Sequence, residues 1–488
     1  MRLRGVSAAL VVATVLMLAV ITTQSAQAQT FTTLHSFDGT DGASPYAALV
    51  QATNGDFYGT TSYGGANGSE CFGVGCGTLF KMTPGGTLTT FYSFCSQGGC
   101  TDGAQPYAPL IQAANGDFYG TTAAGGDNNN GTIFKITTSG TLTTVHTFDG
   151  TDGAQPYGAL IQASNGDFYG TTFGGGFGAG TVYRLTPGGT LTTLYKFCTQ
   201  SNCTDGEDPR SALIQASNGD LYGTTVSGGA NCISDGGCGT IFKITTGGAL
   251  TTLYSFCPES GCLDGEYPYG ALVQAENGDF YGTTTAGGAN NTAEYGAVFR
   301  ITPGGTLTTL YSFCAQSGCT DGYYPHGALI QATNGNFYGT TLNGGAVGNL
   351  GTVFEITPNG TLTTLQSFDG TDGYYPYGAL MQATSGTFYG PAGQGGADSD
   401  GTVFSLSVGL GPFVETQTTS GKVGAAVKIL GTNLTGATSV TFNGTAATFT
   451  ASRSVITTTV PSGATTGTVE VTVSGHTLKS NTKFRVTP

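Results

Sequence analysis

The sequence predicts an all-β protein: a seven-bladed β-propeller followed by a β-sandwich. Three observations lead to this fold class: the composition, a phrase that returns seven times, and a change of pattern near residue 408. Of 488 residues, 83 are glycine, 24 are tyrosine, none is tryptophan and only 9% are charged, which is typical of turn-rich β proteins and not of helical ones. Because acidic residues outnumber basic residues 29 to 15, we expect no nucleic-acid partner.

The first element is an export signal over residues 1–28. Arg2 and Arg4 precede an apolar run at 6–21, and Ala26-Gln27-Ala28 supplies the small residues that a signal peptidase requires. The run is shorter than the ~20 apolar residues of a membrane-spanning helix. We therefore expect cleavage after Ala28 and a secreted monomer, extracellular or on the cell surface, with the periplasm as an alternative and no transmembrane segment in the mature chain.

Residues 29–407 are predicted to form the propeller, because the phrase Asn-Gly-Asp-Phe-Tyr-Gly-Thr-Thr at 54–61 returns six more times, twice in weakened form. Units of fifty-odd residues match propeller blades in length. The central tyrosines of the seven units are Tyr58, Tyr119, Tyr169, Tyr222, Tyr281, Tyr338 and Tyr389.

Each unit is predicted to contain four short strands, which in the third unit lie at 158–163, 167–172, 180–186 and 190–197. The first strand-like segment, 31–37, is of the fourth type, whereas the last unit ends with a third-type strand at 401–407. We expect the N-terminal strand to complete the seventh blade and so remove exposed sheet edges. The alternative is an open solenoid. An open array would not explain why the chain begins with a fourth-type strand and ends with a third-type strand, and it would require capping units at its ends.

A correlation between repeats supports the strand register. The second strand opens with an acid in units one to five, and the third strand carries a base in the same units; both are lost in units six and seven. We therefore predict five cross-strand ion pairs, each worth about 0.2–1 kcal/mol. The pairs are Asp56 with Lys81, Asp117 with Lys135, Asp167 with Arg184, Asp220 with Lys243, and Asp279 with Arg300.

The twelve cysteines form six local pairs with none left over. A zinc site would need four ligands converging from two pairs, and few histidines are available, whereas an exported chain can oxidise each pair. We expect disulfides that stiffen single loops. The pairs are Cys71 with Cys76, Cys95 with Cys100, Cys198 with Cys203, Cys232 with Cys238, Cys257 with Cys262, and Cys314 with Cys319.

From residue 408 to 488 the repeat stops, and two acids face six bases. Strand-like runs at 427–430, 439–443, 455–460, 468–473 and 483–486 predict a sandwich of about 80 residues. The wording Gly-Thr-Asn-Leu (431–434), Ser-Val-Thr-Phe-Asn-Gly (439–444), Val-Pro-Ser-Gly-Ala-Thr-Thr-Gly (460–467) and Val-Glu-Val-Thr-Val (469–473) resembles IPT/TIG domains. That resemblance implies an immunoglobulin-like fold with a spacer or adhesive role.

The repeats themselves resemble the GloVer-type (Gloeo/Verruco) tandem-repeat proteins of bacteria. The resemblance rests on the phrase at 54–61, the Gly-Gly that follows it, and Gly-Thr-Val-Phe-x-Ile-Thr-Pro-x-Gly-Thr-Leu-Thr-Thr-Leu, which together span nearly all of 31–407. It implies a secreted protein with an interchangeable C-terminal module, and it implies no activity.

One face of the propeller is predicted to carry the function. The connections from fourth to first strand and from second to third strand open on this loop face, and they hold all the cysteines and the variation in length. Every unit has Asp-Gly and then a proline there, and we interpret the aspartates as turn caps, with a cation-attracting ring as the alternative. These aspartates are Asp41, Asp102, Asp152, Asp205, Asp264, Asp321 and Asp372.

The residue after each of these prolines is the candidate binding residue. Five tyrosines would supply stacking area and hydroxyls for a glycan or peptide, and an arginine and a histidine break the symmetry. The alternative is simple packing around the mouth of the ring. The candidates are Tyr46, Tyr107, Tyr157, Arg210, Tyr269, His326 and Tyr377.

The function expected is therefore non-catalytic binding or adhesion, or a scaffold, with an extracellular glycan or protein as partner. Of four histidines only His326 is predicted on the loop face, and no nucleophile or phosphate-binding motif occurs. The alternatives are a glycan-active enzyme using paired carboxylates, among them Glu207, Asp208 or Glu266, and a purely structural envelope protein. No cofactor is expected; the segment 398–401 resembles a calcium loop only weakly, since it is too short for a full oxygen cage.

Overall fold

A computed structural model describes residues 29–68, 71, 73–231, 237–258, 261–289 and 295–487. The predicted export signal at 1–28 lies outside these residues. The described chain is all-β, and three 3-10 turns at Gly98–Cys100, Ser201–Cys203 and Ser317–Cys319 are its helical segments. Residues 30–407 form seven four-stranded antiparallel sheets, one for each repeat.

The strands of the seven repeats follow each other in chain order. The N-terminal strand is β1 (Thr30–Ser36). Repeat 1 has β2 (Val50–Gln51), β3 (Phe57–Thr61), β4 (Thr78–Met82) and β5 (Leu88–Ser93). Repeat 2 has β6 (Ile111–Gln112), β7 (Phe118–Thr122), β8 (Thr132–Ile136) and β9 (Leu142–Thr147). Repeat 3 has β10 (Ile161–Gln162), β11 (Phe168–Thr172), β12 (Thr181–Leu185) and β13 (Leu191–Lys196).

The remaining repeats keep the same order. Repeat 4 has β14 (Ile214–Gln215), β15 (Leu221–Thr225), β16 (Thr240–Ile244) and β17 (Leu250–Ser255). Repeat 5 has β18 (Val273–Gln274), β19 (Phe280–Thr284), β20 (Ala297–Ile301) and β21 (Leu307–Ser312). Repeat 6 has β22 (Ile330–Gln331), β23 (Phe337–Thr341), β24 (Thr352–Ile356) and β25 (Leu362–Ser367), and repeat 7 has β26 (Met381–Gln382), β27 (Phe388–Ala392) and β28 (Thr402–Ser407).

The second and third strands form the core of each sheet. All five residues of β3 are buried, as are four of the five in β4, because these strands lie between neighbouring sheets. Gly59 is required at the centre of β3, since a Cβ atom there would lie 2.4 Å from the ring of Phe80. The first strands were predicted to be six residues long, but only two residues of each pair with the second strand.

The N-terminal strand completes the seventh sheet, as predicted. β1 pairs with β28 in antiparallel register, with His35 opposite Val403 and a bulge between Thr33 and His35. The order of that sheet is β1-β28-β27-β26. Residues near the two ends of the repeat region are thus held in one hydrogen-bonded ladder.

A ring of glutamines joins each sheet to its neighbour. The last residue of every first strand is a glutamine whose Oε1 accepts a hydrogen bond from a backbone N–H in the turn of the preceding repeat. The seven glutamines are Gln51, Gln112, Gln162, Gln215, Gln274, Gln331 and Gln382, and their donors are the amides of Thr384, Thr53, Ala114, Ser164, Ser217, Glu276 and Thr333. The bond from Thr384 to Gln51 joins repeat 7 to repeat 1, so the series of contacts is cyclic.

The five predicted ion pairs are all formed. The nitrogen to oxygen distance is 2.9 Å for Lys81 and Asp56 and 3.8 to 3.9 Å in the other four pairs. In repeat 6, where the base is replaced, Glu355 instead accepts hydrogen bonds from Asn336 and from the hydroxyl of Tyr338. The correlation between repeats therefore reports a real side-chain contact.

The C-terminal module, residues 408–487, contains two further four-stranded sheets and a parallel strand pair. Its strands are β29 (Glu415–Thr416), β30 (Ser420–Lys422), β31 (Ala426–Leu430), β32 (Ala437–Phe442), β33 (Thr445–Ala446), β34 (Phe449–Ala451), β35 (Val455–Thr459), β36 (Val469–Val473), β37 (His476–Lys479) and β38 (Arg485–Thr487). Both sheets contribute to one buried core, which includes Ile429 and Ile456 from one sheet and Phe442 and Val471 from the other.

This module lies on the face that carries the tight turns between first and second strands, which we call the turn face. Ser454 donates to the carbonyl of Thr53 in repeat 1, and Arg485 donates to Ser217 in repeat 4. Further contacts reach repeats 2, 3, 6 and 7. Hydrogen bonds from the module therefore reach six of the seven repeats.

No helix in the described part of the chain is long and apolar enough to cross a membrane.

Candidate ligand-binding site

The seven candidate binding residues meet in one cavity on the loop face. The cavity has a volume of about 370 Å³, which is within the range of small-molecule sites. Each repeat contributes one lining side chain. The lining residues are Tyr46, Tyr107, Tyr157, Arg210, Tyr269, His326 and Tyr377.

Ring contacts connect these side chains in a closed circle. Tyr46 stacks on Tyr107 with ring centroids 5.8 Å apart and planes 5° apart, and it meets Tyr377 edge to face at 4.9 Å. Tyr269 stacks on His326 at 4.6 Å. Further edge-to-face contacts join Tyr107 to Tyr157 and His326 to Tyr377. The aromatic walls hold each other in position, so the shape of the cavity is largely preformed.

The backbone before each lining residue is held in an uncommon conformation. The residue that precedes the proline has φ between 53° and 59° in all seven repeats, although none is a glycine. This left-handed region is unfavourable for residues with a Cβ atom and persists only where the surroundings fix it. These residues are Ser44, Gln105, Gln155, Asp208, Tyr267, Tyr324 and Tyr375.

Two backbone hydrogen bonds fix each of these residues. The amide of Gln105 donates to the carbonyl of Cys76 in the preceding repeat, and its own carbonyl accepts from Ala123. The same two bonds occur at the other six positions. The direction in which each lining side chain enters the cavity is therefore set by the contact between neighbouring sheets.

Among the described residues that line the cavity, Arg210 is the one with a charged side chain. Its guanidinium carbon lies 4.1 Å from the ring centre of Phe173, 5.1 Å from that of Tyr157 and 5.5 Å from that of Tyr269. Cation to ring attraction of this kind is strongest where water is excluded. The Nε atom is buried and has no hydrogen-bond partner among the described residues.

The charge of Arg210 acts on its neighbours. Burial first, and the positive charge of Arg210 second, lower the pKa of His326 to about 4, so this imidazole is neutral at physiological pH. Burial and the negative charge of Glu207 raise the pKa of Asp208 to about 6, while Arg210 opposes the increase. The guanidinium and the neutral imidazole line the cavity, whereas Asp208, two residues before Arg210 in the chain, is a carboxylate outside the lining whose pKa is raised.

Two residues of the site were not predicted. The ring of Phe173 contacts the guanidinium of Arg210, and the hydroxyl of Tyr63 lies 2.9 Å from that of Tyr107. Both occur within two residues after the second strand, at positions that vary between repeats. These two positions could not be recognised from the sequence, because they belong to the site only through their contacts with the lining residues of the next repeat.

The aspartates of the Asp-Gly set hold their own loops, and the interpretation of them as turn caps is confirmed. Each accepts a backbone N–H bond from its loop, and Asp102, Asp205 and Asp321 are fully buried. Each also accepts a bond from a side chain of the fourth strand. These donors are His35, Tyr92, His146, Tyr195, Tyr254, Tyr311 and Gln366.

The contact of His35 with Asp41 and of His146 with Asp152 corrects one prediction. His326 was expected to be the only histidine on the loop face, but these two also reach it. Strands β1 and β9 run toward this face, and their last residues therefore lie beside its loops.

Five of the six predicted disulfides are present, and the partner of Cys238, predicted as Cys232, lies outside the described residues. Two pairs converge, since Cys71 and Cys95 have sulfurs 3.8 Å apart. Within the described ranges, two cysteine clusters are the only groups of three or more potential metal ligands with atoms within 4.8 Å of each other. Four sulfurs thus converge as a zinc site requires, but all four are already paired as disulfides. They belong to Cys71, Cys76, Cys95 and Cys100.

One solved structure shows the fold. The extracellular domain of a hybrid two-component system from B. thetaiotaomicron matches with a TM-score of 0.51 and 12% identity, covering 83% of this chain and 45% of that chain. A second such extracellular domain from the same organism matches with a TM-score of 0.49 and 10% identity, covering 90% and 52%. This chain spans about half the length of these two proteins. At such identity the likeness concerns the fold alone.

No curated protein gives a significant match to the sequence. The family model for the Gloeobacter/Verrucomicrobia repeat matches residues 19–235, 141–329 and 234–457, which together span most of the chain. These matches include every strand of the seven sheets. The chain belongs to the Gloeobacter/Verrucomicrobia repeat family.

Proposed function

We propose that this protein is an extracellular binding or adhesion protein that holds a glycan or peptide in the loop-face cavity. The observation that carries the proposal is that seven repeats each send one side chain into a single cavity, and that these side chains are aromatic or cationic. If these positions served only packing, any apolar residue would be sufficient there. Tyrosine hydroxyls and an arginine instead favour a polar ligand with a flat face on which the rings can stack.

In this proposal the seven sheets are the blades of a closed β-propeller, which acts as a rigid frame. The cyclic glutamine bonds and the pairing of β1 with β28 support closure. The C-terminal module is then an immunoglobulin-like sandwich of the IPT/TIG kind that serves as a spacer. The disulfides support an oxidising, extracellular location.

We propose binding without chemical turnover. The carboxylates of the Asp-Gly set are hydrogen-bonded within their own loops, and three of them are fully buried. A glycoside hydrolase needs two carboxylates that face the scissile bond from either side. Within the part of the cavity lining that the structure describes, there is no carboxylate.

The test is binding to glycan and peptide arrays by the mature protein, repeated with Tyr269→Ala, His326→Ala and Tyr377→Ala. Phe177→Ala is the matched control, because Phe177 is an exposed ring of a loop-face connection that does not line the cavity. We expect the three cavity variants to lose binding of the ligand and the control to keep it. Binding that survives all three changes would eliminate the site, and hydrolysis of a bound glycan would replace binding with catalysis.

A further inference from the structure

The strongest unexplained feature of the cavity is Arg210, whose Nε donor has no partner among the described residues. Five lining positions carry tyrosine and one carries a neutral histidine, so a cation at the remaining position is not needed for packing. Its Nε is buried without a partner among the described residues. A buried polar group that lacks a partner destabilises a protein unless another molecule supplies one.

The setting of Arg210 favours an oxyanion as that partner. The rings of Phe173, Tyr157 and Tyr269 hold the guanidinium plane, so little side-chain freedom is lost when an anion binds. Guanidinium groups bind carboxylate and sulfate oxygens with two parallel N–H bonds. An uncharged hydroxyl would be a weaker acceptor for the N–H donors of Arg210 than a carboxylate or sulfate oxygen.

Resting on the proposed function, we propose that the ligand is an acidic sugar whose carboxylate or sulfate pairs with Arg210. Its ring lies against the aromatic walls, and its hydroxyls exchange hydrogen bonds with the tyrosine hydroxyls. Among the described residues, the hydroxyls of Tyr46, Tyr157, Tyr269 and Tyr377 have no partner in the protein, and these side chains are only partly buried. They are therefore available to a hydroxyl-rich ligand.

A peptide carboxyl terminus carries the same anionic group but fits the site less well. Peptides commonly bind by adding main-chain hydrogen bonds to a free backbone edge. The backbone at the rim of the cavity is already paired: the amide and carbonyl of Gln155 bond to Asn130 and Phe173, and those of Tyr324 bond to Tyr295 and Leu342. The groups left for a ligand are side chains, which suits a sugar.

The negative net charge of the chain, -14, does not exclude an acidic ligand. Charges on an exposed surface are screened within about 8 Å at physiological salt, whereas a contact inside a cavity is screened much less. The guanidinium carbon of Arg210 lies 5.1 Å and 5.5 Å from the ring centres of Tyr157 and Tyr269, which line the cavity, whereas the carboxylates of the Asp-Gly set are hydrogen-bonded within their own loops. The local cation therefore determines which charge the cavity accepts.

The experiment is calorimetry with three short oligosaccharides of equal length, namely a hexuronate, a sulfated and a neutral one, and with a peptide bearing a free carboxyl terminus. The variants are Arg210→Gln and Arg210→Lys, and Lys196→Gln is the control, because Lys196 is a cation beside Phe177 outside the cavity. Thermal unfolding verifies that each variant is folded. We expect an acidic oligosaccharide to bind at least tenfold more tightly than the neutral one.

Arg210→Gln should remove that preference, Arg210→Lys should retain part of it, and Lys196→Gln should leave it unchanged. Saturation with the acidic sugar should also raise the pKa of His326 measured by NMR, because the bound anion offsets the charge of Arg210. The uronate and sulfate arms identify which oxyanion is preferred.

The outcomes separate this inference from the proposed function. A neutral oligosaccharide that binds as tightly as the acidic ones, with no effect of Arg210→Gln, overturns the acidic-sugar inference and leaves the binding function standing. A peptide that binds through Arg210 while all sugars fail overturns the choice of a sugar. If no glycan or peptide binds the cavity at all, both the function and this inference are wrong.

Discussion

The turn face and the loop face are built from the same seven repeats, yet side chains serve different purposes on each. On the turn face the same glutamine occurs in every repeat and makes the same bond to its neighbour. On the loop face the backbone is equally regular, but the lining position changes from tyrosine to arginine or histidine. The backbone conformation is therefore repeated on both faces. The type of side chain varies only on the loop face, where no hydrogen bond to a neighbouring sheet requires one particular side chain.

The largest effect on stability is expected on the loop face, at the buried Asp321. This buried carboxylate accepts bonds from the hydroxyl of Tyr311 and from the amides of Ala315 and Gln316. Asp321→Ala leaves both amides without an acceptor, so we expect the free energy of unfolding to fall by about 3 kcal/mol in urea titration. Asp321→Asn should lose less, and a small loss in the alanine variant would mean that the loop is held by its disulfide alone.

A smaller effect is expected on the turn face at Gln215. Its Oε1 accepts from the amide of Ser164, and its Nε2 donates to the carbonyl of Gly219. Gln215→Ala should reduce the free energy of unfolding by about 1–2 kcal/mol and leave ligand affinity unchanged. Gln215→Glu keeps the acceptor and is the matched control. Altered ligand affinity in the alanine variant would contradict the separation of the two faces.

Asp208, two residues before Arg210 in the chain, is expected to make the stability depend on pH. Its pKa is raised from the ordinary 3.8 to about 6 by burial first and by Glu207 second. The folded state therefore holds this proton more tightly than the unfolded state, and the contribution of Asp208 to stability decreases as pH rises from about 4 to about 6. Asp208→Asn should stabilise the protein at pH 7 by on the order of 1 kcal/mol, allowing for partial exposure, and have little effect at pH 4. Thermal unfolding at the two pH values tests this, and equal shifts at both would refute it.

The smallest effect is expected from the surface ion pairs. Replacing Asn336 by aspartate and Glu355 by lysine would rebuild in repeat 6 the pair seen in repeats 1 to 5. We expect a gain below about 1 kcal/mol that disappears at high salt. The two single variants are the controls, and a double-mutant cycle isolates the pair. A gain that persists in high salt would show that packing, and not charge, distinguishes the repeats.

Much of the ring could be predicted from the sequence because repetition amplifies weak signals. One aspartate opposite one lysine means little, but Asp56 with Lys81 returning in five repeats identifies a cross-strand contact. The same argument located Tyr46 and its six equivalents, since a position one residue after a proline in every unit must occupy the same place in every sheet. The fourth-type strand at the start of the chain predicted its pairing with β28.

What could not be predicted depends on contacts between repeats or between domains. The first strands pair over only two residues because the preceding segment lies beside the next sheet, as at Gly270, whose Cβ position is 3.0 Å from the carbonyl of Gly327. The left-handed residues before the prolines, such as Asp208, follow from bonds to a neighbouring sheet and contradict their intrinsic preference. The placement of the C-terminal module on the turn face has no local signal in the sequence.

The position of the C-terminal module on the turn face limits how the proposed ligand would reach the cavity. The module contacts repeats 1 to 4, 6 and 7 on the turn face, so in the proposed propeller a polymer entering from the loop face would meet the module and could not be threaded through. Under the proposed function, only a chain end or a short side branch of a polysaccharide would then enter the cavity. Cleaving the polysaccharide into shorter chains would increase the number of chain ends to which the protein can bind.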